Sequence, residues 1–265
     1  MAVPRSVLIT GANSGIGYET AKPVLQSTKP YHVLFGSRSL EKGNAALKAL
    51  QEECPQASNK AELVLVDVTS DDSIDQAFKQ IQKSPGRLDV LINNAGANFD
   101  IPHLRGECTL RESFTKAYDA NVAGAHILTY TLAPLLLASD DPRLIFVAGL
   151  SAINQASRAY FPTPPQPAGW PKPTPQFEVI GYRSSKVALN MLMLDWAHKL
   201  KADGVKVWAV LPGMLATNLG GVPEMAKAMG AGHPSAGGNV MLRVVEGEMD
   251  HLSGKLIDKN GEAEL

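Results

Sequence analysis

The sequence predicts an α/β protein with a doubly wound parallel sheet and helices on both faces. Three observations predict it. Short β-branched runs alternate with longer helical stretches along the whole chain. The short runs are continuously apolar rather than alternating, which suits strands covered on both sides. A glycine-rich turn follows the first run directly, where this architecture holds ligands outside the carboxyl ends of its strands.

Taken in order, “SVLIT” (6–10), “HVLFGS” (32–37), “ELVLVDV” (62–68), “LDVLINNA” (88–95), “RLIFVAG” (143–149) and “KVWAVLP” (206–212) read as strands, with “SGKLID” (253–258) as the last. Helical segments lie between them, at 15–27, 39–53, 70–83 and 184–202. A chain of 265 residues can bury one substantial core, so 1–265 reads as a single dinucleotide-binding and catalytic domain of the Rossmann type. No internal repeat is evident.

Two segments break the rhythm. “FPTPPQPAGWPKPTP” (161–175) holds seven of the 18 prolines and can be neither helix nor central strand. It reads as a polyproline-style excursion anchored by Phe161 and Trp170, within an insert, 152–181, expected to border the substrate. There Trp170 could offer a flat wall to an aromatic or polycyclic substrate. Residues 218–238, rich in glycine and small side chains, read as a substrate lid.

Composition narrows the partners. A net charge of −1 gives no basic field for nucleic acid. Cys54 and Cys108 lack metal-type spacing and read as reduced thiols, and the six histidines show no ligand pattern either. The most apolar run, “ILTYTLAPLLLA”, is shorter than a membrane span and contains a proline. The N-terminus becomes strand-like at once, leaving no room for a signal peptide. The expectation is a soluble cytoplasmic protein with a small-molecule substrate, no metal, no nucleic acid and no membrane.

“TGANSGIG” (10–17) is the candidate phosphate loop. Gly11 allows the tight turn, Gly15 lets the backbone approach a pyrophosphate, and Gly17 permits close helix-to-strand packing. Asn13, Ser14 and Ile16 complete the loop, and the helix behind it aims unpaired N–H groups at the phosphates. At the end of the second strand an acidic residue would suit the ribose hydroxyls of NAD, whereas arginine suits a 2′-phosphate. Here the chain reads “FGSRS”, so Ser37 and Arg38 predict NADP(H).

“TGANSGIG”, Asp67 in “VDV”, “NNAG” (93–96), Asn121 in “DANVAG”, “YRSSK” (182–186) and “PGMLAT” (212–217) occur in this order, and the pattern resembles the short-chain dehydrogenase/reductases over essentially the whole chain. In style it is most similar to carbonyl-reductase-like members and fungal secondary-metabolism reductases. The resemblance implies an NADP(H)-dependent oxidoreductase, reducing a ketone, aldehyde or imine. Tyr182 would be its proton donor and Lys186 would both lower the tyrosine's pKa and hold the nicotinamide ribose. Four residues apart, the two share a helix face, and a nearby cation favours phenolate. Asn121 would order a water on the relay behind the lysine. Asp67 and Val68 would border the adenine, Asn93, Ala95 and Gly96 the ribose, and Pro212, Gly213, Leu215 and Thr217 the carboxamide.

One position departs from the family pattern. Members commonly end the fifth strand with a serine pair whose second hydroxyl bonds the substrate carbonyl, and an ungapped alignment puts Ala148 and Gly149 there. Either Ser151 reaches inward because Gly149 lets the strand end curl, or Tyr182 works unassisted; Ser151 is taken as the donor. The departure also keeps a second function open, a cofactor-binding homologue acting as sensor or cyclisation catalyst without redox turnover. Finally, the helix from Ser184 is apolar nearly all round, which predicts burial on every side and a homo-oligomer.

Overall fold

The computed structural model describes residues 3–149, 153–158, 166–173 and 179–264. Ser151 and Phe161 lie outside the described residues. The apolar runs form strands β1 (Arg5–Ile9), β2 (Tyr31–Ser37), β3 (Lys60–Leu65), β4 (Val90–Asn93), β5 (Arg143–Val147), β6 (Lys206–Val210), β7 (Leu256–Asp258) and β8 (Gly261–Glu262). They make one sheet in the order β3-β2-β1-β4-β5-β6-β7-β8. All neighbours are parallel except β7 and β8, which close the edge as an antiparallel pair. The strand order reverses between β1 and β4, and the crevice above that switch point is where such sheets bind ligands.

The helices are α1 (Gly15–Gln26), α2 (Leu40–Glu53), α3 (Asp71–Lys83), α4 (Asp100–Leu104), α5 (Leu110–Tyr118), α6 (Gly124–Leu137), α7 (Ile153–Arg158), α8 (Ile180–Lys199), α9 (Pro223–Ala228) and α10 (Ser235–Val245). Local chemistry sets several starts. The Ser39 and Ser70 side chains accept from the N–H groups of Lys42 and Ser73, and Thr109 with Glu112 forms a capping box. Strand alternation divides the core into two layers. Leu8, Leu144 and Phe146 pack with Ile74, Leu128 and Leu189 of α3, α6 and α8. Val7, Ile9, Ile145 and Val147 pack with Val24 and Met241 of α1 and α10. Both faces of the strands are therefore buried, which is why their sequences do not alternate.

The differences from expectation are local. β3 ends at Leu65 rather than 68, because its partner β2 ends at Ser37. The helix expected from 184 begins at Ile180, four residues earlier. It is not buried on every side: Leu189, Met193 and Trp196 are buried, but Met191 is 64% exposed in the single chain. Residues 218–238 are not a featureless loop, since a 3-10 turn (Leu219–Gly221), α9 and the start of α10 occupy them. One helical stretch, Leu110–Leu137, joins α5 and α6 through a π-helical turn at Asp119–Ala123 and is long and apolar enough to cross a membrane by length and composition alone. Its Leu128, Leu132, Leu135 and Leu136 are buried in the core.

Candidate active site

A cavity of about 470 Å³ opens above the switch point between β1 and β4. At one end it is walled by the turn after β1, where Gly11 (φ 63°) and Gly15 (φ 56°) take left-handed backbone conformations. Asn13, Ser14 and Ile16 line the same end. Gly17 does not reach the cavity. Its task is packing: a Cβ there would stand 2.6 Å from the Gly11 carbonyl oxygen and 2.5 Å from Asn94 Nδ2.

Arg38, exposed at the tip of β2, lines the cavity beside Asp67 and Val68. Ser37 is fully buried and turned inward, its Oγ donating to the Ser39 carbonyl at 3.0 Å, so it does not share that wall. Asp67 Oδ1 accepts from the backbone and hydroxyl of Thr69, at 3.0 and 2.8 Å, which shapes the β3–α3 turn.

Ala95 and Gly96 line the middle of the cavity, but Asn93 does not. It is the last residue of β4, and strand alternation sends its side chain into the core, where Nδ2 donates to Thr129 Oγ1 at 3.0 Å. The neighbouring Asn94 takes the place on the wall, pinned by donation to the Thr10 carbonyl at 2.7 Å. Pro212, Gly213, Leu215 and Thr217, after β6, form the facing wall.

Tyr182 and Lys186 enter from α8, one turn apart. The Lys186 ammonium stands 5.7 Å from the Tyr182 ring centroid and donates to the Val147 carbonyl at 2.7 Å. Lys186 is 3% exposed. Burial pushes the Tyr182 hydroxyl up to about 12 and the lysine down to about 8. Both shifts have one cause, loss of water around the charged form. At neutral pH the site thus holds a neutral phenol beside a largely protonated amine.

Asn121 sits in the π-helical turn, a local widening often found at functional positions. Its side chain is engaged in structure: Oδ1 accepts from Ala97 N at 2.7 Å, and Nδ2 donates to the Ala97 carbonyl at 2.9 Å and to Ser185 Oγ at 2.8 Å. Ser185 in turn donates to the Tyr182 carbonyl at 2.7 Å. The loop after β4 and the catalytic face of α8 are therefore tied through Asn121.

Sequence reasoning missed several residues. Asn98, Val179, Met214, Leu219, Val222 and Met229 line the end of the cavity beyond Tyr182. Four of them come from the glycine-rich segment after β6, and Val222 and Met229 are the residues that flank α9. Asp100, which holds the start of α8, lies in no motif, and Ser185 is one of the unassigned positions inside “YRSSK”. Trp170, expected as a wall of the pocket, is 87% exposed and is not among the lining residues. Among the described residues no cluster of histidine, cysteine, aspartate or glutamate could hold a metal.

A glycine loop beneath a helix N-terminus, with a half-buried tyrosine and a buried lysine one turn apart at the far side of the same crevice, defines a class of dinucleotide-dependent oxidoreductases. The chain belongs to the short-chain dehydrogenase/reductase family: the model described as short chain dehydrogenase matches residues 5–160 and 173–225. It is 45% identical over 267 residues to short-chain dehydrogenase/reductase tropE of Talaromyces stipitatus, covering 97% of this chain and 96% of that one. It is 43% identical over 272 residues to short-chain dehydrogenase/reductase eupG of a Phoma species, covering 98% and 97% of the two chains. Among solved structures it superposes on an NADPH-bound carbonyl reductase from chicken fatty liver with a TM-score of 0.75 and 22% identity, over 100% of both chains. That last likeness is one of fold.

Proposed function

We propose that this chain is an NADPH-dependent reductase of a ketone, aldehyde or imine in a small organic substrate of the secondary-metabolite kind. One observation carries the reading. A single cavity runs from the glycine loop, past Arg38, to Tyr182 and Lys186, and ends in an apolar patch of Met214, Leu219, Val222 and Met229. The polar end suits a dinucleotide and the apolar end suits a substrate of low polarity.

The residues fit the cofactor. The left-handed glycines leave the loop free of side chains where phosphates would approach, and the α1 N-terminus faces that space. Arg38 would pair with a 2′-phosphate. When bound, the reduced nicotinamide supplies a hydride to the substrate carbon. Tyr182 donates its hydroxyl proton to the substrate oxygen or nitrogen. Lys186 keeps a positive charge beside the phenol and so eases departure of that proton. By the family resemblance Asn121 would order a relay water behind Lys186, beside the bonds its side chain makes to Ala97 and Ser185. The segment 218–238 closes the apolar end as a lid, and the exposed Met191 on α8 lies on the face that a second copy would cover in a homo-oligomer.

The glycine at position 149 favours a second reading, a homologue that binds the cofactor without redox turnover. NADPH oxidation measured against a panel of ketones, aldehydes and imines separates the two. Turnover with any member supports the reductase; tight NADPH binding without turnover across the panel supports the second reading.

A further inference from the structure

We propose that Asp100 is the positioning residue for Tyr182, fixing the first turn of the helix that carries it. This rests on the reductase reading for its catalytic consequence. Asp100 opens α4 and is 3% exposed. Its Oδ1 accepts from the Gly181 N–H at 2.9 Å and its Oδ2 from the Tyr182 N–H at 2.8 Å. The first N–H groups of a helix have no partner within it and need one from outside. Here the N-cap position is Val179, which has no side-chain acceptor. A carboxylate more than 80 residues away in sequence supplies both bonds, and its charge matches the positive end of the helix.

Gly181 is the counterpart of this arrangement. A Cβ at that position would stand 2.8 Å from Asp100 Oδ1, so a glycine is what lets the carboxylate reach both N–H groups. Asp100 is itself held, since its N–H donates to Asn98 Oδ1 at 2.8 Å. Asn98 lines the apolar end of the cavity, and Gly220 of the 219–221 turn lies close enough that a Cβ would be 3.4 Å from Asn98 Nδ2 and from Ile101 Cγ1. The short helix α4 therefore touches the cavity wall and the segment after β6 on one side, and the backbone of Tyr182 on the other. Asp100 does not line the cavity. It acts through the tyrosine, whose hydroxyl must meet the substrate atom within a fraction of an ångström.

A misplacement of about 1 Å at a reacting group can cost about 100-fold. The test uses Asp100→Ala, Asp100→Asn and Gly181→Ala in the full chain. Turnover is measured with a carbonyl compound the wild type reduces, and sites are counted by NADPH titration. Amide exchange of the first turn of α8 is followed by mass spectrometry. We expect Asp100→Ala to lower kcat about 10- to 100-fold per titrated site, with NADPH affinity within about threefold and exchange at Gly181 and Tyr182 at least about tenfold faster. Asp100→Asn keeps the shape and one acceptor oxygen, so it should recover a large part of both. Gly181→Ala should resemble Asp100→Ala. Wild-type kcat per titrated site in Asp100→Ala overturns the proposal, as does faster exchange with no loss of kcat. If Asp100→Ala does not fold, Gly181→Ala decides, and wild-type kcat per titrated site there overturns it. If the wild type reduces no ketone, aldehyde or imine, the reductase reading falls, and unchanged exchange in the variants then overturns the positioning as well.

Discussion

Gly149 faces Tyr182 so closely that a Cβ on it would stand 3.3 Å from the Tyr182 hydroxyl and 3.1 Å from Lys186 Cγ. Position 149, where the family resemblance implies a hydroxyl, offers only backbone. Gly149→Ala would crowd the phenol without adding a donor, so its kcat should fall about tenfold. Gly149→Ser adds the same bulk with a hydroxyl at the reacting end, and its kcat should exceed that of Gly149→Ala. Ser151→Ala is the companion variant. A preorganised donor to a developing oxyanion contributes about 10²–10³ in rate, and we expect a loss of that order. Full activity in Ser151→Ala, with faster turnover in Gly149→Ser, would mean that this chain works without a second donor.

Tyr182→Phe keeps the ring and its packing but removes the proton. NADPH binding should survive and reduction should nearly stop. The pH dependence follows from the raised tyrosine, pushed up to about 12 by burial. The protonated phenol is the active form for reduction. The rate of reduction should therefore be flat at neutral pH and fall on the alkaline side, while oxidation of the product alcohol should rise there. Profiles of kcat/KM in both directions check this, and a reduction rate that increases through the alkaline range would exclude Tyr182 as the donor.

On the NADPH reading, Arg38 would discriminate between the cofactors. A charge-assisted bond to a 2′-phosphate contributes roughly 1.5–3 kcal/mol, so Arg38→Ala should weaken NADPH by about 10- to 100-fold and leave NADH unchanged. Titration of both cofactors against both proteins is the measurement. Equal losses would remove Arg38 from this role.

Acid stability should depend on the opposite end of the sheet. Asp141 Oδ1 meets Lys206 Nζ at 2.7 Å and its Oδ2 meets Arg143 Nη2 at 2.9 Å, while Asp250 also pairs with both cations. Burial pushes the Asp141 carboxyl up, but the bonds from Lys206 and Arg143 outweigh it and hold the group at about 2. A carboxylate lowered on folding stabilises the protein above its unfolded value, near 4, and that contribution is lost as pH falls toward 2. Because Asp141 is 38% exposed, solvent screening reduces the effect to on the order of 1 kcal/mol. Asp141→Asn should lower the neutral-pH melting temperature by a few degrees and flatten its decline between about pH 4 and 2. An unchanged acid limb would show that the network contributes nothing.

Much of this molecule is determined by short-range sequence. The strands are legible because a parallel strand buried on both faces must be apolar at every position, as in Val33, Leu34 and Phe35. The glycine loop is legible because its left-handed turns exclude side chains at Gly11 and Gly15, and Tyr182 and Lys186 because four residues make one helical turn. Other features depend on chain segments meeting in space. Asn93 and Asn94 are adjacent and chemically identical, yet the pleat at the end of β4 sends one into the core and the other to the cavity. The apolar end of the pocket combines Asn98, Val179 and the residues flanking α9, Val222 and Met229, which no linear spacing connects. Asp100 holds Tyr182 because the fold brings the loop after β4 against the start of α8, where the N–H groups of Gly181 and Tyr182 meet its carboxylate.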